Sequence, residues 1–251
     1  GGIAIDYKVK GACKKPDNQV CWSDGAGEEA DCKGKKTIRF VTMGDSQRWY
    51  DETEDFVKAI NKRNDIDFVI HGGDMSDFGV TKEFLWQRDI MNGLSVPYVT
   101  LIGNHDCLGT GAETYKAIFG PTNFSFIAGD VKFVCLNTNA LEYDYSEPVP
   151  DFTFMENELT NRTDEFNKTV ISMHARPYTD VFNDNVVKMF QHYVKQYPGI
   201  QFCTAAHTHH YRDDVIFDDG IHYVTSDSMD KRTYLVFTIT PEKYEYELVK
   251  Y

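Results

Sequence analysis

The chain has 251 residues, 41% of them hydrophobic and 26% charged, which are the proportions of an ordinary globular protein able to bury one sizeable core or two small ones. Its formal net charge of -13 argues against a nucleic-acid surface, because that affinity comes largely from Lys and Arg neutralising phosphates. No apolar run approaches the roughly 18 residues that a membrane span requires.

Residues 1–36 show no hydrophobic periodicity and are rich in Gly, Lys, Asp and Glu. They are expected to form an arm or small extension ahead of a main domain at residues 37–251. Three of the six cysteines, Cys13, Cys21 and Cys32, lie in this arm. Their spacings of 8 and 11 residues do not match a Cys-x-x-Cys zinc knuckle; a Cys13–Cys21 or Cys21–Cys32 disulfide and reduced surface thiols both remain open. No signal peptide is visible, but the chain starts at Gly-Gly-Ile without Met, so its start is uninformative about export. The acidic surface and the cysteine-bearing arm favour an exported periplasmic or cell-surface lipoprotein of a bacterium, the alternative being a cytoplasmic protein. A monomer is expected.

From residue 37 onward, short apolar runs alternate with amphipathic stretches. The runs TIRFVTM (37–43), DFVIHGG (67–73), VPYVTLIG (96–103), VKFVCLNT (131–138), TVISMHA (169–175) and IQFCTAA (200–206) are rich in Val, Ile and Phe and read as buried strands. Between the first two, DETEDFVKAINKRN places Phe56, Val57 and Ile60 on one helical face; TKEFLWQRDIMN and residues 181–197 read as further helices. Cys135 and Cys203 read as small core residues. The acidic, aromatic stretch LEYDYSEPVPDF (141–152) reads as a long loop. After residue 214 the pattern becomes short, alternating and aromatic, which suggests consecutive antiparallel strands. The fold class this implies is α/β: two mixed sheets packed face to face with helices outside, a four-layer α/β/β/α sandwich.

The strand ends carry the chemistry. Gly44-Asp45-Ser46-Gln47 follows the first run, Gly72-Gly73-Asp74 the second, and Gly103-Asn104-His105-Asp106 the third. The fifth contains His174, and the sixth runs into His207-Thr208-His209. Ligand sites in layered α/β folds form at the carboxyl ends of strands. Turn chemistry explains the Gly, Asp and Asn but gives no reason for His105, His174, His207 and His209, half of the eight histidines. Carboxylates, amide oxygens and imidazoles together suit a dinuclear site for divalent ions such as Mn, Fe or Zn. For His207 and His209 two geometries stay open: an extended backbone puts both rings on one face, whereas a sharp turn at Thr208 sends them to different ions.

The ordered blocks D-x-Q, GGD, GNHD, a lone His and AHTH resemble the calcineurin-like metallophosphoesterase superfamily over residues 36–240. The resemblance implies that Asp45, Gln47 and His209 hold one ion, that Asp74 bridges, and that Asn104, His174 and His207 hold the other. It further implies that His105 donates a proton to the leaving oxygen or stabilises the transition state, with Asp106 bracing it. Two positions depart from the usual pattern: Gln47 stands where His is common, and Ala206 where Gly is common. The neutral amide of Gln47 shifts the expectation toward Mn or Fe(II) over Zn.

The reaction expected is attack by a metal-bound hydroxide on a small-molecule or lipid-like phosphate monoester or diester. The alternative is a catalytically weak relative that binds metal and acts as a surface binding module. Arg48 and Arg176 are candidate substrate-phosphate contacts, with pairing to a nearby carboxylate, such as Asp51 for Arg48, as the plainer reading. His71 reads as a hydrogen-bonded residue behind the ligands.

Overall fold

Side chains on a strand alternate between its faces, and here that alternation sorts nearly every strand between two apolar environments. A computed structural model describes residues 37–143 and 147–251; the expected arm at 1–36, with Cys13, Cys21 and Cys32, lies outside the described residues. In chain order the elements are β1 (Ile38–Met43), α1 (Tyr50–Asn61), β2 (Phe68–His71), α2 (Thr81–Met91), β3 (Tyr98–Thr100), α3 (Gly111–Phe119), β4 (Phe124–Ala128) and β5 (Val131–Leu136). There follow α4 (Phe152–Thr160), β6 (Lys168–Met173), α5 (Val187–Val194), β7 (Ile200–Ala205), β8 (Arg212–Asp214), β9 (Tyr223–Thr225), β10 (Thr233–Ile239) and β11 (Tyr244–Lys250).

The strands form two mixed sheets, ordered β11-β10-β1-β2-β3 and β4-β5-β6-β7-β9-β8. Ile38 and Phe40 of β1, Phe68 and Ile70 of β2, and Phe237 of β10 face Phe126, Phe133, Val170 and Phe202 of the other sheet in one buried cluster. Phe40 stacks on Phe68 at 5.3 Å and meets the edge of Phe133 at 5.0 Å. Removing one such ring would cost about 3–5 kcal/mol. The alternate residues Val41, Met43 and Val69 point outward onto Phe56, Val57 and Ile60 of α1 and Met91 of α2. Val134, Leu136 and Ile171 do the same onto Met155 of α4 and Phe190 and Val194 of α5. The result is the four-layer α/β/β/α sandwich, and the three described cysteines, Cys107, Cys135 and Cys203, are free and buried.

The structure corrects several local expectations. A hairpin strand, β4, precedes β5 and pairs with it antiparallel across Gly129, whose φ of 61° suits a tight turn. Helices α3 and α4 are additional, and the stretch read as a loop contains a 3-10 turn at Ala140–Tyr143 and ends where α4 begins. The C-terminal strands are not one antiparallel meander. β9 runs parallel to β7 in one sheet, whereas β10 crosses to the other and pairs antiparallel with β1 and β11. The crossing is driven by burial: Val224 on β9 and Leu235 and Phe237 on β10 fill the same inter-sheet core from opposite sides. The connection passes the ends of β1 and β7, where the Met229 N–H donates to the Asp45 carbonyl at 3.2 Å.

Candidate metal centre

β1, β2 and β3 are parallel in one sheet, and β5, β6, β7 and β9 in the other. The loops leaving β1, β2, β3, β6 and β7 meet through backbone bonds. The Asp45 N–H donates to Gly73 O at 2.9 Å, Gly72 N–H to Met43 O at 2.6 Å, and Ala206 N–H to His174 O at 2.8 Å. The approach is close enough that a Cβ on Gly103 would lie 2.1 Å from the Asp74 Oδ1. Asp45, Asp74, His207 and His209 all hold positive φ, at 49°, 59°, 75° and 66°. Left-handed backbone at four non-glycine positions is strain of order 1–3 kcal/mol each, the kind kept where function over-determines it.

Among the described residues, two groups of ligand atoms converge, each with its atoms within 4.8 Å of one another: Asp74, His174 and His207, and Asp45, Asp74 and His209. Asp74 belongs to both. Because His207 and His209 fall into different groups, the sharp-turn geometry is the one observed, with positive φ at both histidines.

Tautomers follow from the fixed partners. The Gly72 carbonyl can only accept, so His174 Nδ1–H donates to it at 2.7 Å, leaving Nε2 at 3.1 Å from Asn104 Oδ1 and 3.4 Å from Asp74 Oδ2. His207 Nε2 lies 2.5 Å from the Asp180 Oδ1, which places its proton there and turns Nδ1 to Asn104 Oδ1 at 3.0 Å. Burial and the nearby His174 hold His207 below its ordinary value, with Asp180 opposing, so Nδ1 presents a lone pair. Burial also depresses His174, but Asp74 and Asp45 outweigh it and raise it to about 10.

Asp45 is fully buried; its Oδ2 accepts from the His207 N–H at 2.9 Å, while its Oδ1 has no hydrogen-bond partner. Burial is the main cause that pushes its carboxyl upward. Gln47 is 2% exposed, and its Oε1 is likewise buried without a partner. Buried oxygens left unpaired cost several kcal/mol in an apolar medium, and here they carry the donor chemistry of divalent-cation ligands. The residues present therefore fit a pair of cations.

His105 and Asp106 have separate surroundings. His105 Nδ1–H donates to the Asp77 carbonyl at 2.9 Å, and its backbone N–H donates to Asp74 Oδ1 at 3.0 Å. The bracing of the His105 ring expected of Asp106 is not what the geometry gives. The buried Asp106 carboxylate accepts from the N–H groups of Gly103, Asp74, Met75 and Ser76 and from the Ser76 hydroxyl, all at 2.9–3.0 Å. It clasps the GGD and GNHD loops together. Although burial and Asp74 push it upward, five donors and no acceptor suit only the carboxylate. Arg48 is exposed and pairs with Asp77 at 2.7 Å rather than Asp51. Arg176 is buried, donates to Pro177 O at 2.9 Å and lies 3.5 Å from Asp214, so it turns toward β8.

Three supporting groups escape sequence reasoning. Asp180, six positions past His174, orients His207. Glu83 of α2 accepts from the N–H groups of Asp77, Phe78 and Val80, fixing the loop whose carbonyl holds His105. Gln87 receives the Ser46 hydroxyl at 3.0 Å and donates to Ser46 O at 2.7 Å. Ser46 in turn accepts from His71 Nε2 at 2.8 Å, because His71 Nδ1 accepts the Gly73 N–H at 3.0 Å. A signal for Gln87 existed: it stands between Phe84 and Met91 on the buried face of α2.

A family model described as calcineurin-like phosphoesterase matches residues 38–211, more than half of the chain. The chain belongs to the calcineurin-like phosphoesterases. Solved structures agree on the fold. A dimetal phosphatase from Danio rerio is 11% identical, with TM-score 0.64, covering 83% of this chain and 98% of that one. The structure described as GAP50, the anchor in the inner membrane complex of Plasmodium, is 13% identical, with TM-score 0.62, covering 86% and 85%. The calcineurin-like phosphoesterase YfkN from Bacillus subtilis is 12% identical, with TM-score 0.50, covering 85% and 90%. No curated protein matches the chain by sequence. As in the sequence, no helix of the described residues is long and apolar enough to cross a membrane.

Proposed function

We propose that this calcineurin-like phosphoesterase hydrolyses phosphate monoesters or diesters at a dinuclear metal site. The observation that carries the reading is Asp74, shared by two converging ligand groups beside the unpartnered oxygens of Asp45 and Gln47. Asp45, Gln47, Asp74 and His209 would hold one ion, and Asp74, Asn104, His174 and His207 the other. When bound, such a pair polarises phosphoryl oxygens and makes water acidic enough to attack at neutral pH. The chain's own part is to position and to move a proton. The Asp77 carbonyl fixes Nδ1–H of His105, so the exchangeable proton sits on Nε2, from which it passes to the departing alcohol oxygen. Asp180 and the Gly72 carbonyl keep His207 and His174 in single tautomers, and Asp106 holds two ligand loops in register. The neutral Gln47 favours Mn or Fe(II) over Zn.

The test is hydrolysis of aryl phosphate monoesters and diesters after chelation, with Mn, Fe(II), Zn or Mg restored singly. Turnover with Mn or Fe(II) that disappears in Asp74→Asn supports the reading. Absence of turnover with every metal would leave the non-catalytic binding module, a role that the similar fold of GAP50, the anchor in the inner membrane complex of Plasmodium, makes concrete.

A further inference from the structure

Beside the metal centre lies a cavity of about 610 Å³, within the ~300–1,000 Å³ range of small-molecule pockets. Its walls come from the Ala140–Tyr143 turn, residues 147–152 and residues 180–186, and the side chains are mainly apolar, with Leu141, Val149, Phe152, Phe182 and Val186 among them. The two walls are stapled by the Leu141 N–H, which donates to Val181 O at 3.2 Å. Asp180 joins pocket to site, since the same side chain lines the cavity and holds His207 Nε2 at 2.5 Å.

Among the described lining residues the charge is of one sign: Glu147, Asp180 and Asp184 contribute carboxylates, and none is Lys or Arg. A second phosphate or a carboxylate on the substrate would be repelled there, whereas an apolar group would displace water from apolar walls. Leu141 is 65% exposed, a large aliphatic side chain left uncovered at the edge of a pocket that Asp180 links to His207.

We propose that this cavity receives the alcohol portion of the substrate, and that the substrate is a phosphate ester of a bulky, apolar, non-anionic alcohol. The assignment rests on the phosphoesterase reading for its chemistry but on the cavity for its selectivity. The phosphoryl group sits at Asp74 and His105, and the ester oxygen leads past Asp180 into the pocket. Nucleotides bearing further phosphates and small polar esters are poor fits.

The experiment compares 1-naphthyl phosphate and its methyl diester with glycerol 3-phosphate and its methyl diester, in wild type, Leu141→Asp and Val186→Asp. The expected result is a kcat/KM preference for the naphthyl esters on the order of 100-fold, from the apolar area buried. Each variant is expected to lose about tenfold on the naphthyl esters alone. A preference near unity, or equal losses on both ester types, overturns the proposal. If none of the esters is hydrolysed with any metal, the phosphoesterase reading fails. The cavity is then judged by fluorescence titration with 1-naphthol: saturable binding weakened in Leu141→Asp supports the apolar pocket, and absence of binding, or binding unchanged in that variant, overturns it.

Discussion

Gln47 places a neutral amide oxygen where a buried carboxylate oxygen of Asp45 also stands without a partner. An imidazole at that position would be a softer ligand and would favour Zn. Gln47→His is therefore expected to raise the Zn-to-Mn affinity ratio about tenfold, measured by competitive titration; an unchanged ratio counts against a ligand role for this residue. His71 supports the same loop from behind and gives a pH prediction. Burial and the neighbouring His174 lower it from 6.5 to about 3, so the folded chain keeps it neutral while the unfolded chain takes up a proton below about pH 6.5. Unfolded chains then bind more protons than folded ones, and stability falls as pH drops from about 6.5 toward 3. The share of this one residue at about pH 5 is about 2 kcal/mol. In denaturant titrations at about pH 7 and about pH 5, His71→Gln should lose less stability than wild type; equal losses would show that His71 titrates normally.

At the scale of elements, α4 is held to β5 by charge. Lys132 on β5 is 1% exposed, and its Nζ reaches Glu158 Oε2 at 2.6 Å and the carbonyls of Glu158 and Asn161 at 2.7 and 2.8 Å. Lys132→Met leaves the buried Glu158 carboxylate with, among the described residues, the Ser125 hydroxyl as donor and should destabilise by about 3–5 kcal/mol. The double variant Lys132→Met with Glu158→Leu should recover most of that loss in urea denaturation; no recovery would mean the helix depends on Lys132 in another way. The same arrangement explains why α4 escapes sequence reading. Its fully buried residues are Met155 and the charged Glu158, while Phe152, Phe154 and Leu159 pack only partly buried, so a carboxylate interrupts the apolar face. α3 has only Tyr115 and Phe119 as large buried side chains, and β4 is five residues long. By contrast, β1, β2, β5, β6 and β7 bury most residues of both faces, so runs rich in Val, Ile and Phe reveal them. The candidate ligand positions are legible because each is a polar residue ending such a run. The residues that orient them were not, because Asp180, Glu83 and Asp77 sit in ordinary polar surroundings and meet their partners only through the fold.

For the whole molecule, the decisive distances in sequence are long. The two ligand groups draw on residues from 45 to 209, and the His207 N–H meets Asp45 across 162 positions. Asp74 and His174 come from different sheets, so neither ligand group is complete until the inter-sheet core has closed over Phe40, Phe133 and Phe202. Contacts of this separation form late, because chain closure must precede them. Divalent ions held by these groups would therefore have nothing to grip in the early folding chain. In stopped-flow experiments, saturating Mn should slow unfolding about tenfold or more while changing the refolding rate less than about twofold. Refolding accelerated by Mn in proportion to the gain in stability would show the opposite order. In kinetic terms the shared Asp74 would be a latch set after assembly, so that ion supply would govern how long each finished molecule persists and leave untouched how fast it is made.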